Sequence, residues 1–427
     1  MKMREGFMVE DLKGRSVEIS KYIAQKLIDL SYTEKIVSHT NNLSPSRGNP
    51  PWNPGSLADG IPGVFALLSE WGYLEPDQNW AEHVHSQLRY LDANSLLLLP
   101  RISLYYGTTG VAYGILLASN NRANYNKLIS QLNKYIEVKW GDLPVIGTIT
   151  EFSRQMDIIN GLLGVGRYTL EAAEDKTMCD LSRQLVDTIT HFIPEYIHLS
   201  SRKDSASIHL GLAHGITGIL ALLVTALQKK IKVEGLQEAI KHIADFLLIQ
   251  LQEDQYGGYW PVNSQASSMN KREKKVGMRE IEGWCHGTFG IAWTLFRAGI
   301  ECSNEEWKKI AEKAMESIFC FDDELLNALS PTFCHGLAGL LHMAHRFYSL
   351  TDNIAALRFA DQIALKLVNL YDEELPFGYQ DLEGTTHVHN VGILQGATGI
   401  ALSLLDYGIG KEHPKYSGRW SELFLIS

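Results

Sequence analysis

Histidine and cysteine recur in this chain at one position of a repeated motif. A Gly-x-x-Gly pair followed by an apolar run occurs seven times, opening at Gly60, Gly107, Gly161, Gly215, Gly287, Gly336 and Gly396. The residues just before these glycines are Asp59, Tyr106, Asn160, His214, His286, His335 and Gln395. All of them carry a polar group. Two are themselves preceded by cysteine, giving Cys285-His286-Gly287 and Cys334-His335-Gly336. If equivalent positions converge, thiols and imidazoles from neighbouring loops meet, and Zn²⁺ favours that combination. Two cysteines and one histidine with a fourth position open is a known catalytic arrangement. A substrate thiol in the open position would be deprotonated by the metal. The chemistry indicated is thiolate activation.

One Cys-His at a helix start is ordinary core packing; two in register favour a metal. Cys179, Cys302 and Cys320 fall on amphipathic stretches and read as packing. His387 and His389 have ligand-like spacing but precede their glycine pair by several residues, so they read as loop. Five cysteines, an odd number, and no export signal argue against a disulfide framework.

The repeat also specifies the elements that must hold these residues. Stretches such as Ile216–Val224 and Ala397–Leu405 are apolar nearly all round, the pattern of fully buried helices. Between them, 124–138, 180–196, 236–251, 305–319 and 354–371 read as amphipathic helices, with two more over 16–37 and 77–91. Seven buried helices alternating with seven half-exposed ones predict an all-α fold: a double-ring α/α toroid, apolar helices inside. An open solenoid would need polar capping repeats, and the first and last repeats resemble the middle ones. Residues 1–427 are expected to form one domain. The longest interval, Gly215 to Gly287, holds an insertion around 254–284 whose Gly, Pro, Ser and Asn suit short strands or irregular chain. A second irregular segment is Asn41–Pro54.

The 427 residues are 45% hydrophobic and 21% charged, an ordinary globular composition. The net charge of −10 argues against a nucleic-acid binder, and the one basic run, Lys271–Lys275, reads as a solvated loop. No apolar stretch is long enough to span a bilayer. A cytoplasmic protein is expected, with any membrane association through partners.

At Gly211-Leu-Ala-His-Gly215, Trp284-Cys-His-Gly287 and Cys334-His-Gly336 the chain resembles the lanthionine synthetase C-like family, the lantibiotic cyclases. The resemblance runs through all seven repeats. It implies a double α-barrel with one Zn²⁺ held by Cys285, Cys334 and His335. It also implies the reaction: Cys thiols of a precursor peptide add to dehydroalanine and dehydrobutyrine, forming thioether rings. Such an addition needs a thiolate and then a proton at Cα. His214 matches the family's catalytic histidine. Asp157 matches an aspartate of the site, where it would orient a histidine or hold the substrate thiol; read alone, it could cap a helix. His286 departs from the tyrosine that the lantibiotic cyclases carry after the first zinc cysteine. The family's arginine, four residues before that cysteine, is Ile281 here, with Arg279 two residues earlier.

With no dehydratase region in the chain, a stand-alone cyclase is expected. A separate dehydratase and an export transporter would be its partners. Two other readings share the zinc site: addition of glutathione to dehydroamino acids, which His286 favours, and a non-catalytic zinc scaffold that binds peptides. A toroid glycosidase would need paired carboxylates instead.

Overall fold

The structure is a computed structural model that describes residues 2–120, 122–200, 207–264, 283–410 and 413–426. The basic run at 271–275, Arg279, Ile281 and most of the expected insertion lie outside the described residues. In chain order the helices are α1 (Lys2–Leu27), α2 (Leu30–Val37), α3 (Ile61–Leu74), α4 (Trp80–Ala93), α5 (Thr108–Ala118) and α6 (Asn126–Gly141). Next come α7 (Ile149–Gln155), α8 (Leu162–Glu171), α9 (Lys176–Ser200), α10 (Ile216–Gln228), α11 (Leu236–Gln250) and α12 (Thr288–Glu301). The last are α13 (Glu305–Ile318), α14 (Asp323–Asn327), α15 (Leu337–Thr351), α16 (Ile354–Leu370) and α17 (Ala397–Ile409).

All seven apolar runs are helices, and each begins directly after the first glycine of its pair. Every residue of α10 from Ile216 to Ala226 is buried, as is every residue of α17 from Ala397 to Tyr407. The alternating amphipathic helices are also present, except that the one expected over 16–37 is split into the end of α1 and α2 by a break at residues 28–29. On α13 the buried set Trp307, Ala311, Ala314, Met315 and Ile318 makes one stripe. Its N-terminus is capped by Asn304, whose side chain accepts from the amides of Glu306 and Trp307, a device worth about 1 kcal/mol.

None of the seven apolar helices has such a side-chain cap. In α3, α5, α10, α15 and α17 the first amide is satisfied by the chain that leads in. Ile216 N–H donates to His209 O, Leu337 N–H to Ser330 O and Ala397 N–H to Asn390 O, all at 2.9 Å. Each lead-in therefore curls into a closed loop under the helix start, meeting the need of orphan amides by backbone alone. That curl explains the glycines. A Cβ on Gly218, Gly339 or Gly399 would collide with the carbonyl of Leu212, Phe333 or Ile393, in each case six residues back. The residue before the first glycine thus sits at a fixed place on a rigid loop.

The chain forms two compact units. The first comprises Met1–Arg101, Tyr106–Leu132 and Asp322–Trp420. In it α1 packs on α17, α16 and α3; α15 packs on α16 and α17; and α3 packs on α4, α5 and α17. The second comprises Ile102–Tyr105, Asn133–Phe321 and Ser421–Ser427. There α10 packs on α8, α9, α11 and α12; α9 on α7, α8 and α11; and α13 on α12.

Two antiparallel hairpins interrupt the helices. β1 (Gln252–Asp254) pairs with β2 (Gly257–Tyr259), where short strands are expected from the composition. β3 (Asp381–Glu383) pairs with β4 (Thr386–Val388), where the sequence reads as ordinary loop. His387 is therefore a strand residue, paired across the hairpin with Leu382.

Candidate active site

In the second unit the lead-in loops of three repeats are bonded to one another. Ile158 N–H donates to Ala213 O at 2.9 Å, and Ala213 N–H donates to Cys285 O at 3.2 Å. The backbone beside Asp157, His214 and Cys285 is thereby held in one ladder. Asp157 Oδ2 meets His214 Nδ1 at 2.6 Å, and Asp157 Oδ1 accepts the Asn160 amide at 2.6 Å. The Asp157 bond holds the His214 imidazole above its ordinary pKa, against the opposing effect of burial. Burial pushes the Asp157 carboxyl up, but the bonds from His214 and from the Asn160 amide leave it below its usual range. His214 is 42% exposed, so the pair is open to a substrate.

Two further imidazoles stand beside this pair. The rings of His209 and His286 are 5.2 Å apart, and those of His214 and His286 are 5.8 Å apart. His209 Nδ1 accepts the Gly211 amide at 3.2 Å, which places its proton on Nε2. Burial, helped by His286 and His214, lowers the His209 pKa to about 4, so it is neutral where His214 is readily charged. His286 Nδ1 is buried without a hydrogen bond among the described residues. Gly287 has φ +86, a left-handed conformation that permits the Trp284–Gly287 turn and that a side chain would strain. Reading one residue per repeat misses His209. It lies six residues before Gly215, at the carbonyl that closes the loop, and aligning that second position across repeats is the signal that finds it.

In the first unit Cys334 N–H donates to Leu394 O at 2.9 Å, and both Cys334 and His335 are half-buried. Behind them Asp381 on β3 accepts from Ser330 Oγ at 2.8 Å through Oδ1. Its Oδ2 is buried with no hydrogen-bond partner among the described residues. Burial raises the Asp381 pKa, and His335 is among the groups that pull it back. The three residues that the resemblance assigns to zinc are divided between the units, with Cys285 in the second and Cys334 and His335 in the first. Their donor chemistry, two thiols and one imidazole, fits Zn²⁺. The other three cysteines, Cys179, Cys302 and Cys320, lie in α9, at the end of α12 and in the segment after α13.

Also in the first unit, three of the residues that precede opening glycines gather around one arginine. Arg47, from the irregular 41–54 segment, grips Asp59 with both Nη atoms, at 2.5 and 3.2 Å, and donates to Gln395 Oε1 at 2.8 Å. Burial and the nearby Asp59 carboxylate push the Tyr106 hydroxyl up in pKa.

The chain belongs to the lanthionine synthetase C-like protein family, whose pattern matches residues 51–418. That makes it a lanthionine-forming cyclase by class. It is 24% identical over 380 residues to the nisin biosynthesis protein NisC of Lactococcus lactis subsp. lactis, covering 83% of this chain and 86% of that protein. A solved structure of nisin cyclase superposes with a TM-score of 0.68 at 22% identity, covering 96% of each chain. The fold class read from the repeat is therefore the fold of this chain. No helix among the described residues is long and apolar enough to cross a membrane.

Proposed function

We propose that the chain is a zinc-dependent cyclase that closes thioether rings within a dehydrated peptide. The carrying observation is the alignment of the second unit's loops. His214, oriented by Asp157 at 2.6 Å, stands on a loop bonded directly to the backbone of Cys285. Cys285, Cys334 and His335 would hold one Zn²⁺. When bound, the metal supplies the peptide's thiol as a thiolate. The chain's own groups do the rest. Asp157 takes the His214 Nδ1 proton in a hydrogen bond, which turns Nε2 to the reacting carbon. A protonated His214 returns a proton to Cα after the sulfur has bonded to Cβ. The His209 Nε2–H, neutral at physiological pH, offers a hydrogen bond that does not compete for that proton.

A precursor with dehydroalanine or dehydrobutyrine implies a separate dehydratase upstream, and an export transporter is the natural third partner. The expected setting is the cytoplasm, with membrane association only through such partners.

Elemental analysis of the wild type and of Cys285→Ala and Cys334→Ala tests the reading, alongside thiol alkylation of a dehydrated single-cysteine peptide. The wild type should carry about one zinc per chain and consume the peptide's thiol, and each variant should lose both. A wild type that holds no zinc, or that leaves the thiol free, refutes it.

A further inference from the structure

His209 stands outside the register of residues that precede the glycines, yet the second unit fixes it from two sides. Its carbonyl accepts the Ile216 amide at 2.9 Å, closing the same loop that bears His214. On the other side, residues 208–210 pair with 262–264. Leu210 N–H donates to Val262 O and Ser264 N–H to Ile208 O, each at 2.8 Å, with His209 opposite Asn263. The ring is held as well. Its Nδ1 accepts the Gly211 amide at 3.2 Å, which leaves the proton on Nε2. A Cβ on Gly211 would lie 2.7 Å from Cys285 O and 2.8 Å from His209 Cε1, so only glycine lets the imidazole rest against the Cys285 backbone.

The Nε2–H makes no hydrogen bond among the described residues, and it is open to solvent, unlike the sealed Nδ1 of His286. The His214 ring stands 6.3 Å away and nearly perpendicular. One loop thus presents two imidazoles, one tied to Asp157 and one with a fixed, unused donor. The Cα and carbonyl oxygen of one residue are about 2.4 Å apart, and a donor meets its acceptor at about 2.9 Å. Two rings at this spacing can therefore serve both atoms at once. A held donor with no partner of its own is preorganised for a developing negative charge.

We propose that His209 is a catalytic residue whose Nε2–H binds the carbonyl oxygen of the dehydro residue as ring closure proceeds. This rests on the thioether-forming reading above. The thiolate sulfur bonds to Cβ, and the Cα=Cβ π pair moves into the Cα–C bond, placing negative charge on the carbonyl oxygen. His209 donates to that oxygen without giving up its proton. His214 then protonates Cα, the carbonyl re-forms, and the proton lost by the thiol returns to His214 through solvent.

The test uses full-length zinc-loaded protein, a dehydrated single-cysteine peptide, and a saturated analogue with alanine in place of dehydroalanine. Two variants separate the two nitrogens of His209. In His209→Asn the shorter side chain can still accept the Gly211 amide, two residues on, but has no donor at the reach of Nε2. It should lower kcat by about 10²–10³-fold, the usual loss for one oxyanion donor. KM, zinc content and affinity for the saturated analogue should not change, because that analogue develops no charge. In His209→Gln the amide nitrogen reaches about as far as Nε2, so most of the rate should return, to within about tenfold of wild type, the weight of one imperfectly placed hydrogen bond. His209→Asn at the wild-type rate overturns the assignment. So does equal impairment of both variants, or a parallel loss of zinc or analogue binding, either of which marks His209 as a brace for its loop. A wild type that never consumes the thiol removes the reading and the assignment together, whereas a normal wild type beside an unimpaired His209→Asn removes the assignment alone.

Discussion

In the second unit a carboxylate meets an imidazole at 2.6 Å, with Asp157 22% and His214 42% exposed. In the first unit Asp406 on α17 meets His342 and His345 on α15 at 3.1 and 3.5 Å, and none of the three is more than 7% exposed. The groups are the same and the consequences differ. At the loop, the Asp157 bond outweighs burial and raises the His214 pKa. Inside the helices, burial outweighs Asp406 and lowers the His342 pKa. The first pair can offer a proton to a visitor. The second is sealed in the core, with Trp420 packed 4.6 Å from the His342 ring. Place in the repeat, just before the helix or within it, decides which role a His–Asp pair has.

The sharpest way to break this contrast is to truncate both carboxylates. Asp406→Ala leaves two buried imidazoles without their acceptor and should cost about 1–3 kcal/mol in urea unfolding. Asp157→Ala should change stability by less than about 1 kcal/mol yet slow ring closure by about 10²–10⁴-fold, the span expected when general acid catalysis is lost. If the two variants exchange these effects, or both merely unfold, the division between site and core is wrong.

Acid should separate the pairs next. The folded pKa of His342 lies below its ordinary 6.5, so as pH falls past that value the unfolded chain takes up a proton that the folded chain refuses, and stability drops. Asp406, held far below the carboxylate range by His342 and His345 despite its burial, adds a loss at still lower pH. Arg346, Glu70 and Tyr416 bear on the same cluster. His214 has the opposite sign: its raised pKa favours the folded state at low pH, and that contribution fades as pH rises through the folded value. Unfolding free energy should therefore fall from pH 7 to 5.5 by up to about 1.4 kcal/mol per pH unit. His342→Gln should reduce the slope, leaving the part due to His209 and His389, whose pKa values burial also lowers, and His214→Gln should not reduce it. A slope unchanged in His342→Gln assigns the acid sensitivity wholly to those other histidines.

The contrast also explains what could be read beforehand. Helices that begin at Gly215 or Gly396 announce themselves, because glycine must face the curled lead-in and the apolar run must be buried. His214, Cys285 and Cys334 follow from that register. The Asp406–His342 network hides inside apolar runs, where two histidines look like interruptions of a pattern. The grip of Arg47 on Asp59 and Gln395, and the β3–β4 hairpin that braces its segment through Glu383, depend on pairings across long stretches of chain that leave no periodic mark. His209 was visible only to a second reading of the register, at the loop-closing carbonyl.

The smallest expected effect probes how the open site draws rigidity from the core beneath it. Four side chains of the second unit donate in succession to four consecutive carbonyls of the C-terminal segment. These are Arg167 Nε to Glu422 O at 2.5 Å, Tyr105 Oη to Leu423 O at 3.4 Å, Trp284 Nε1 to Phe424 O at 2.8 Å and Arg297 Nη1 to Leu425 O at 2.8 Å. Leu423, Phe424, Leu425 and Ile426 are all buried. Trp284 immediately precedes Cys285, so its indole ties the thiol's backbone to this buried end. Trp284→Phe keeps the ring and removes one donor, which should cost about 1 kcal/mol. It should also speed alkylation of Cys285 in metal-free protein by several-fold, about what a bond of that strength restrains, and leave Cys334 unchanged. Equal acceleration at both cysteines would mean global loosening. No acceleration at Cys285 would mean that the ladder through Ala213 holds the thiol without help from the chain's end.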